Sequence, residues 1–226
     1  MSRTSEHSAK VQSYFDHRVA DYDAFYDQPS AFWRWFNRTM RKAVYYRRDQ
    51  TVTLAQKYGC RSVLDVGCGS GQNSVWFVRH GLERVLGLDI SSEMVEESRG
   101  LAERAGVASR CEFRNGDFMS MDFSGKCDIA CALGVFDYVL EPDPFLRRMA
   151  QHAEKVIYGS FPGWSLVRSP LRKLRYALRG CPTHFYRQAQ VRALFESVGF
   201  GSVHVMPIPS GFLAWSVRDE VEDESA

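Results

Sequence analysis

Long hydrophobic runs are missing from this 226-residue chain. The longest uninterrupted apolar stretch runs from Ile129 to Phe136, far short of the roughly 20 residues a membrane-crossing helix needs. Residues 1–13 are polar and hold no apolar stretch of signal-peptide length. Charge of one sign is scarce as well: 29 basic against 27 acidic residues leave a formal net charge of +2, too weak a bias to argue for nucleic acid as a partner. Cysteine pairs are absent. The six cysteines, at 60, 68, 111, 127, 131 and 181, form no C-x-x-C motif. Several fall in apolar, strand-like runs, where a free thiol behaves as a small hydrophobe, and their spacing argues against a disulfide framework. Nor do the histidines and cysteines show metal-ligand spacing. These absences point to a reduced, cytoplasmic protein.

What remains has the composition of a globular domain, 45% hydrophobic and 25% charged. A chain of this size buries roughly 70–75% of its unfolded surface in one core, and no linker divides it, so residues 1–226 are expected to form a single domain. The one charge asymmetry sits at the end. Asp219–Ala226 carries five acids and no base, and this 219–226 tail is expected to be solvated and disordered. The body left behind is mildly basic, which suits anionic small molecules or surfaces.

From Arg61 onward short apolar runs alternate with helical patterns. Ser62–Val66 reads as a buried strand, Gln72–His80 as a helix and Arg84–Asp89 as a second strand. A helix from Ser92 to Ala105 follows, capped by Ser91 or Ser92. Further strands are expected at Cys111–Arg114, Asp128–Leu133 and Lys155–Ser160, with a helix around Pro144–Ala153 between the last two. This alternation calls for a mostly parallel sheet with helices on both faces, an α/β fold. The end breaks the rhythm. After a helix at Gln188–Val198, closed by Gly199, the strands Ser202–Pro207 and Gly211–Val217 are joined so tightly that they must be antiparallel.

Two segments lie outside that 61–217 core. Residues 8–59 form an aromatic-rich N-terminal helical cap, and residues 162–186 an insertion. Within the insertion, Leu171, Leu174 and Leu178 share one helical face and Arg172, Arg175 and Arg179 another. The N-terminal cap carries a matching stripe of Arg34, Arg38, Arg41, Tyr45 and Arg48, beside an apolar face of Trp33, Phe36, Met40 and Val44. Paired basic stripes can be solvated helix faces, or can frame an acidic substrate or an anionic lipid surface.

The chemistry concentrates in Val63-Leu64-Asp65-Val66-Gly67-Cys68-Gly69-Ser70-Gly71. Glycines directly after a buried strand let the backbone turn with positive φ and let a ligand rest on the main chain. Asp65 precedes them inside the strand, which a dinucleotide fingerprint does not require. Asp89 stands at the tip of the second strand, where a carboxylate can accept from both hydroxyls of a ribose; hydrogen bonds to a charged group contribute about 1.5–3 kcal/mol each.

D-V-G-C-G-S-G, then G-L-D-I-S, then N-G-D-F, in that order across residues 61–217, resembles the class I S-adenosylmethionine-dependent methyltransferases. The resemblance implies a seven-stranded Rossmann-like methyltransferase sheet with S-adenosylmethionine as cofactor. It implies that Gly67, Cys68 and Gly69 put backbone against the methionine part and ribose, that Asp65 lies near the methionine amino group, and that Asp89 holds the ribose while Ile90 packs beside the adenine. Asp117 would accept from the adenine amino group, Phe118 would cover the ring, and Leu133 with Gly134 would pass beneath the sulfonium. Asp65 can equally serve to tie its turn together, Asp117 to form a turn, and Phe118 to fill core. Tyr14 and Tyr22 lie in a segment similar to the lid of small-molecule methyltransferases, where aromatic hydroxyls reach the cofactor carboxylate and rings lie against the sulfonium; the same aromatics also suit a helix packed on the core.

In this family the turn after the fourth strand faces the transferring methyl, and many members hold a histidine where this chain has Tyr138. The candidate catalytic groups are therefore Tyr138, Asp137 and His184. The cap segments are loosely similar to those of magnesium-protoporphyrin carboxyl methyltransferases. The implied activity is methyl transfer to a small or lipid-linked acceptor, most readily on oxygen, with an anionic acceptor and peripheral membrane contact through the basic helices as further options. A nicotinamide-dependent oxidoreductase and a non-catalytic S-adenosylmethionine-binding protein are the alternatives; Asp65 and the closing hairpin speak against the former.

Overall fold

The computed structural model describes residues 3–16, 42–164 and 183–224. The chain opens with two helices, α1 (Arg3–Asp16) and α2 (Lys42–Lys57), and then enters the alternating core. That core runs β1 (Ser62–Val66), α3 (Gln72–Arg79), β2 (Arg84–Asp89), α4 (Ser92–Arg104), β3 (Cys111–Asn115), β4 (Cys127–Ala132), α5 (Pro142–Gln151) and β5 (Ala153–Pro162). It closes with α6 (Gln188–Val198), β6 (Ser202–Ile208), β7 (Gly211–Val217) and α7 (Asp219–Glu224). The seven strands form one sheet in the order β3-β2-β1-β4-β5-β7-β6. All neighbours are parallel except those of β7, which runs antiparallel to both β5 and β6.

Strand periodicity divides the core into two layers. Val63 of β1, Val85 of β2 and Ile129 and Cys131 of β4 face one side, where Leu54, Phe77, Val78, Val95 and Ala102 of α2, α3 and α4 cover them. Leu64 and Val66, Leu88, Ala130 and Ala132 face the other, against Phe145, Leu146 and Met149 of α5 and Val191 and Phe195 of α6. Because both faces are covered, β1 is buried at every position, as expected for the centre of a parallel sheet.

Element ends follow local chemistry. Ser91 caps α4, its Oγ accepting from the Met94 N–H at 3.3 Å. Helix α5 starts two residues before the expected Pro144, because Pro142 occupies its first turn, where the missing N–H costs nothing. Strand β5 extends beyond the expected Ser160 because Phe161 and Pro162 pair with Phe212 and Gly211 of β7. The acidic tail departs from expectation: Asp219–Glu224 is helical, and Val221 anchors it by packing against the core. Acidic residues in a first turn also suit the helix dipole.

The arginine stripe of the insertion and the greater part of the N-terminal stripe, with Tyr22, lie outside the described residues. Arg48, which is described, departs from the solvated face that the sequence suggests. Its guanidinium stacks 3.5 Å over the Trp76 ring and 5.0 Å from Tyr45, which docks α2 onto α3. No helix among the described residues is long and apolar enough to cross a membrane.

Candidate active site

The carboxyl ends of β1, β2 and β4 meet in the middle of the sheet, the place where an open α/β fold leaves a crevice. The glycine turn after β1 is held down by β2: the N–H groups of Gly67 and Cys68 both donate to the Leu88 carbonyl, at 2.7 and 3.0 Å. Gly67 has φ +72°, and a Cβ there would collide with the Val135 side chain from the turn after β4. Gly69 has φ +55°, but a Cβ there would meet nothing within 4 Å. The first glycine is thus required by the protein's own packing. The second borders open space, a cradle over exposed backbone.

Asp89 lies directly beside that cradle. Its Oδ2 accepts from the Gly69 N–H at 2.8 Å and its Oδ1 from the Ser91 N–H at 3.0 Å. Each carboxylate oxygen has a second lone pair, so the group remains able to accept from a ligand. Loss of hydration pushes its carboxyl above the usual range, against the pull of those backbone donors. Asn115 fixes the chain beyond it, its Nδ2 donating to the carbonyls of Asp89 and Ile90 at 3.1 and 3.0 Å.

Asp65 has a different place. It is 1% exposed, its Oδ2 accepts from the Ser74 hydroxyl at 2.7 Å, and its Oδ1 from the Cys131 thiol at 3.7 Å. Both oxygens are engaged inside the protein, so Asp65 ties β1, β4 and α3 together. Burial pushes its carboxyl up to about 6, and the nearby Asp89 adds to the rise. Cys68 is also buried, with its thiol pushed well up by loss of hydration; only its backbone can serve a ligand.

After β3, Asp117 forms a turn, its Oδ1 accepting from the Met119 N–H at 2.9 Å. Phe118 packs in the core. It is 5% exposed, meets Phe145 edge-on at 5.0 Å and lies under the Arg148 guanidinium at 5.5 Å.

The turn after β4 collects the groups singled out for catalysis. Gly134 N–H donates to Ser160 Oγ at 2.8 Å, and the His184 N–H donates to the Asp137 carbonyl at 2.9 Å. Tyr186 hydroxyl donates to the Phe136 carbonyl at 3.2 Å. Asp137, Tyr138 and His184 are thus brought together, and Leu133, at the end of β4, is buried.

Three residues join the site that the sequence does not advertise. His7 reaches it from α1, its Nε2 lying 2.7 Å from the Tyr138 carbonyl oxygen and its ring 6.3 Å from that of His184. Asp16, at the other end of α1, has a buried Oδ1 with no hydrogen-bond partner. Arg47 sits on the inner face of α2, its guanidinium nitrogens 3.0 and 3.2 Å from where a Gly134 Cβ would be. Its Nε is buried and unpartnered, while its carbonyl is fixed by the Tyr158 hydroxyl at 2.9 Å and the Thr51 hydroxyl at 3.2 Å. The buried residues Thr51, Leu54, Ala55 and Tyr58 follow Arg47 at helical spacing and mark its inward orientation. No comparable signal points to His7 or Asp16. Tyr14, also on α1, is half-buried.

Comparison with known proteins finds a methyltransferase domain over residues 63–155. The chain is similar to cycloartenol-C-24-methyltransferase 1 of Oryza sativa subsp. japonica, 30% identical over 125 residues that cover 54% of this chain and 36% of that one. It is also similar to ajmaline N-methyltransferase of Rauvolfia serpentina, 30% identical over 94 residues covering 41% and 32%. The chain thus spans about a third of the length of these relatives. In fold it is similar to magnesium protoporphyrin IX methyltransferase from Synechocystis PCC 6803, crystallised with bound SAH, with a TM-score of 0.72 at 22% identity over 94% of this chain and 100% of that one.

Proposed function

We propose that this chain, which carries a methyltransferase domain within the class I S-adenosylmethionine-dependent methyltransferase fold, transfers a methyl group from S-adenosylmethionine to a small-molecule or lipid-linked acceptor, most readily on oxygen. The observation that carries the reading is Asp89 at the edge of the open Gly69 cradle, with a carboxylate still able to accept from hydroxyl donors. The donor set fits the cofactor. Asp89 would take the ribose hydroxyls, the Gly67–Gly69 backbone would lie along the methionine portion, and Asp117 has a carboxylate oxygen left for the adenine amino group. Arg47, half-buried with an Nε that has no hydrogen-bond partner, supplies a cation that matches the carboxylate of the amino-acid end. Bound S-adenosylmethionine supplies a methyl group already activated on a sulfonium.

The protein's own part is alignment and exclusion of water. Gly134 and Leu133 floor the reacting end, and α1 spans it from above through His7. A hydroxyl acceptor needs its proton removed. Within the group of Asp137, Tyr138 and His184, an imidazole is the natural base, with Asp137 or Tyr138 as orienting partner. A carboxylate acceptor needs no base; that second reading, a porphyrin-type carboxyl transfer, is favoured by fold likeness across the full length of the magnesium protoporphyrin IX enzyme. An anionic acceptor and a reducing, cytoplasmic setting accord with the mildly basic body and the unbonded thiols of the described cysteines. Peripheral membrane contact stays tied to arginines outside the described residues.

Calorimetric titration with S-adenosylhomocysteine, alongside reduced nicotinamide dinucleotides, tests the cofactor. Micromolar binding of the former alone is expected. Binding of the dinucleotide alone would overturn the reading.

A further inference from the structure

Helix α1 carries an acid where the fold can least accommodate one. Asp16 ends the helix, its Oδ1 is buried, and no hydrogen-bond donor reaches that oxygen. Its charge also bears on Asp89, whose carboxyl it helps to push upward. The helix is not free to turn the acid away: it leads back to His7, tied to the Tyr138 carbonyl at 2.7 Å, and it packs against α4. Asp16 therefore lies close enough to Asp89 for its charge to act there, and its own buried Oδ1 is left without a hydrogen bond. Like charges in a partly dehydrated place repel, and a buried acceptor left without its hydrogen bond is destabilising. A ligand presenting more than one hydroxyl donor at that point removes both penalties.

Resting on the methyltransferase reading above, we propose that Asp16 is a second nucleoside-binding carboxylate, accepting a hydrogen bond from a ribose hydroxyl opposite Asp89. The cofactor is then gripped from two directions, by the fixed tip of β2 and by the helix lying over it. The vicinal diol closes α1 onto the cleft, and the Asp16–Asp89 repulsion loosens α1 when the diol is absent. A nucleoside without both hydroxyls can satisfy only one carboxylate, so selectivity for intact ribose depends on both.

The test is a ligand–mutant cycle on the full chain, read by calorimetry. Wild type, Asp16→Ala and Asp16→Asn are each titrated with S-adenosylhomocysteine and with its analogue lacking both ribose hydroxyls. The preference of wild type for the intact ribose is expected to fall roughly tenfold in Asp16→Ala and less in Asp16→Asn, which keeps a carbonyl acceptor. Hydrogen exchange across residues 3–16 should slow on S-adenosylhomocysteine binding in wild type and change little in Asp16→Ala. A preference unchanged by both substitutions overturns the proposal, as does an equal loss for both ligands. Failure of wild type to bind S-adenosylhomocysteine at all overturns the underlying cofactor reading instead. Unfolding midpoints of the two variants against wild type separate a lost contact from a lost fold.

Discussion

His7 and Tyr138 are 131 positions apart in the chain, yet the His7 Nε2 lies 2.7 Å from the Tyr138 carbonyl oxygen. The contact joins the first described helix to the turn that follows β4, so α1 is fastened to the turn in which the candidate catalytic residues gather. The exposed flank of α1 carries the Lys10–Glu6 pair, an interaction of small worth in water.

Removing the imidazole should therefore loosen α1 without unfolding the sheet. His7→Ala is expected to speed hydrogen exchange across residues 3–16 severalfold. The thermal midpoint should stay within about 2–4 °C of wild type, the shift expected for a loss near 1 kcal/mol in a chain of this size. Exchange unchanged in α1 would show that the helix is held by other contacts.

Asp89 gives the sharpest loss of binding. Its oxygens accept from Gly69 and Ser91, and in the proposed complex they also take the ribose. Asp89→Ala should weaken S-adenosylhomocysteine binding at least a hundredfold, because two charge-assisted hydrogen bonds disappear together. The circular dichroism spectrum should remain that of a folded protein.

The two glycines separate structure from function. Gly67→Ala meets both a left-handed backbone and the Val135 side chain, so a destabilisation of roughly 2–4 kcal/mol is expected in chemical denaturation. Gly69→Ala meets only the backbone cost, about 1–2 kcal/mol, since nothing lies within 4 Å of the new methyl. That methyl would stand in the cradle, however, and the variant should lose S-adenosylhomocysteine affinity out of proportion to its stability.

How much of this is readable from residues alone depends on the range of each interaction. The Gly67–Gly71 turn, Asp89 at a strand tip and the Ser91 cap are local patterns, and the structure keeps each where the spacing puts it. Phe118 follows the same N-G-D-F spacing but turns into the core, because Phe145 and Phe123 offer it a ring cluster that no local pattern reveals. Asp65 is legible from its place in the motif, whereas its bonds to Ser74 and Cys131 depend on how α3 and β4 lie against β1. Arg47 hides beside Arg48 in an arginine-rich stretch, and only the side of α2 that is buried tells them apart. His7 and Asp16 depend wholly on where α1 lies.

Asp65 also leaves a mark on stability. Its carboxyl titrates near 3.8 when unfolded and is pushed to about 6 in the fold, so the folded state holds the proton more tightly. The associated stabilisation is complete below about pH 4 and is lost as pH rises through about 6. Asp65→Asn removes the titration. Its stability profile should be flatter than that of wild type across this range by about 3 kcal/mol, measured by urea denaturation at successive pH values.

Arg47 can be tested against one half of the ligand at a time. The backbone carbonyl of Arg47 holds the Tyr158 and Thr51 hydroxyls, and those bonds survive a change of side chain, so Arg47→Met should fold. What it loses is the cation beside Gly134. If that cation pairs with the amino-acid carboxylate, S-adenosylhomocysteine should bind at least tenfold more weakly to the variant. By contrast, 5′-methylthioadenosine, which keeps the ribose and adenine but has no carboxylate, should bind both proteins alike. Equal weakening for the two ligands would assign Arg47 to shaping the cleft, because only a charge pair can distinguish molecules that differ at the far end from Asp89.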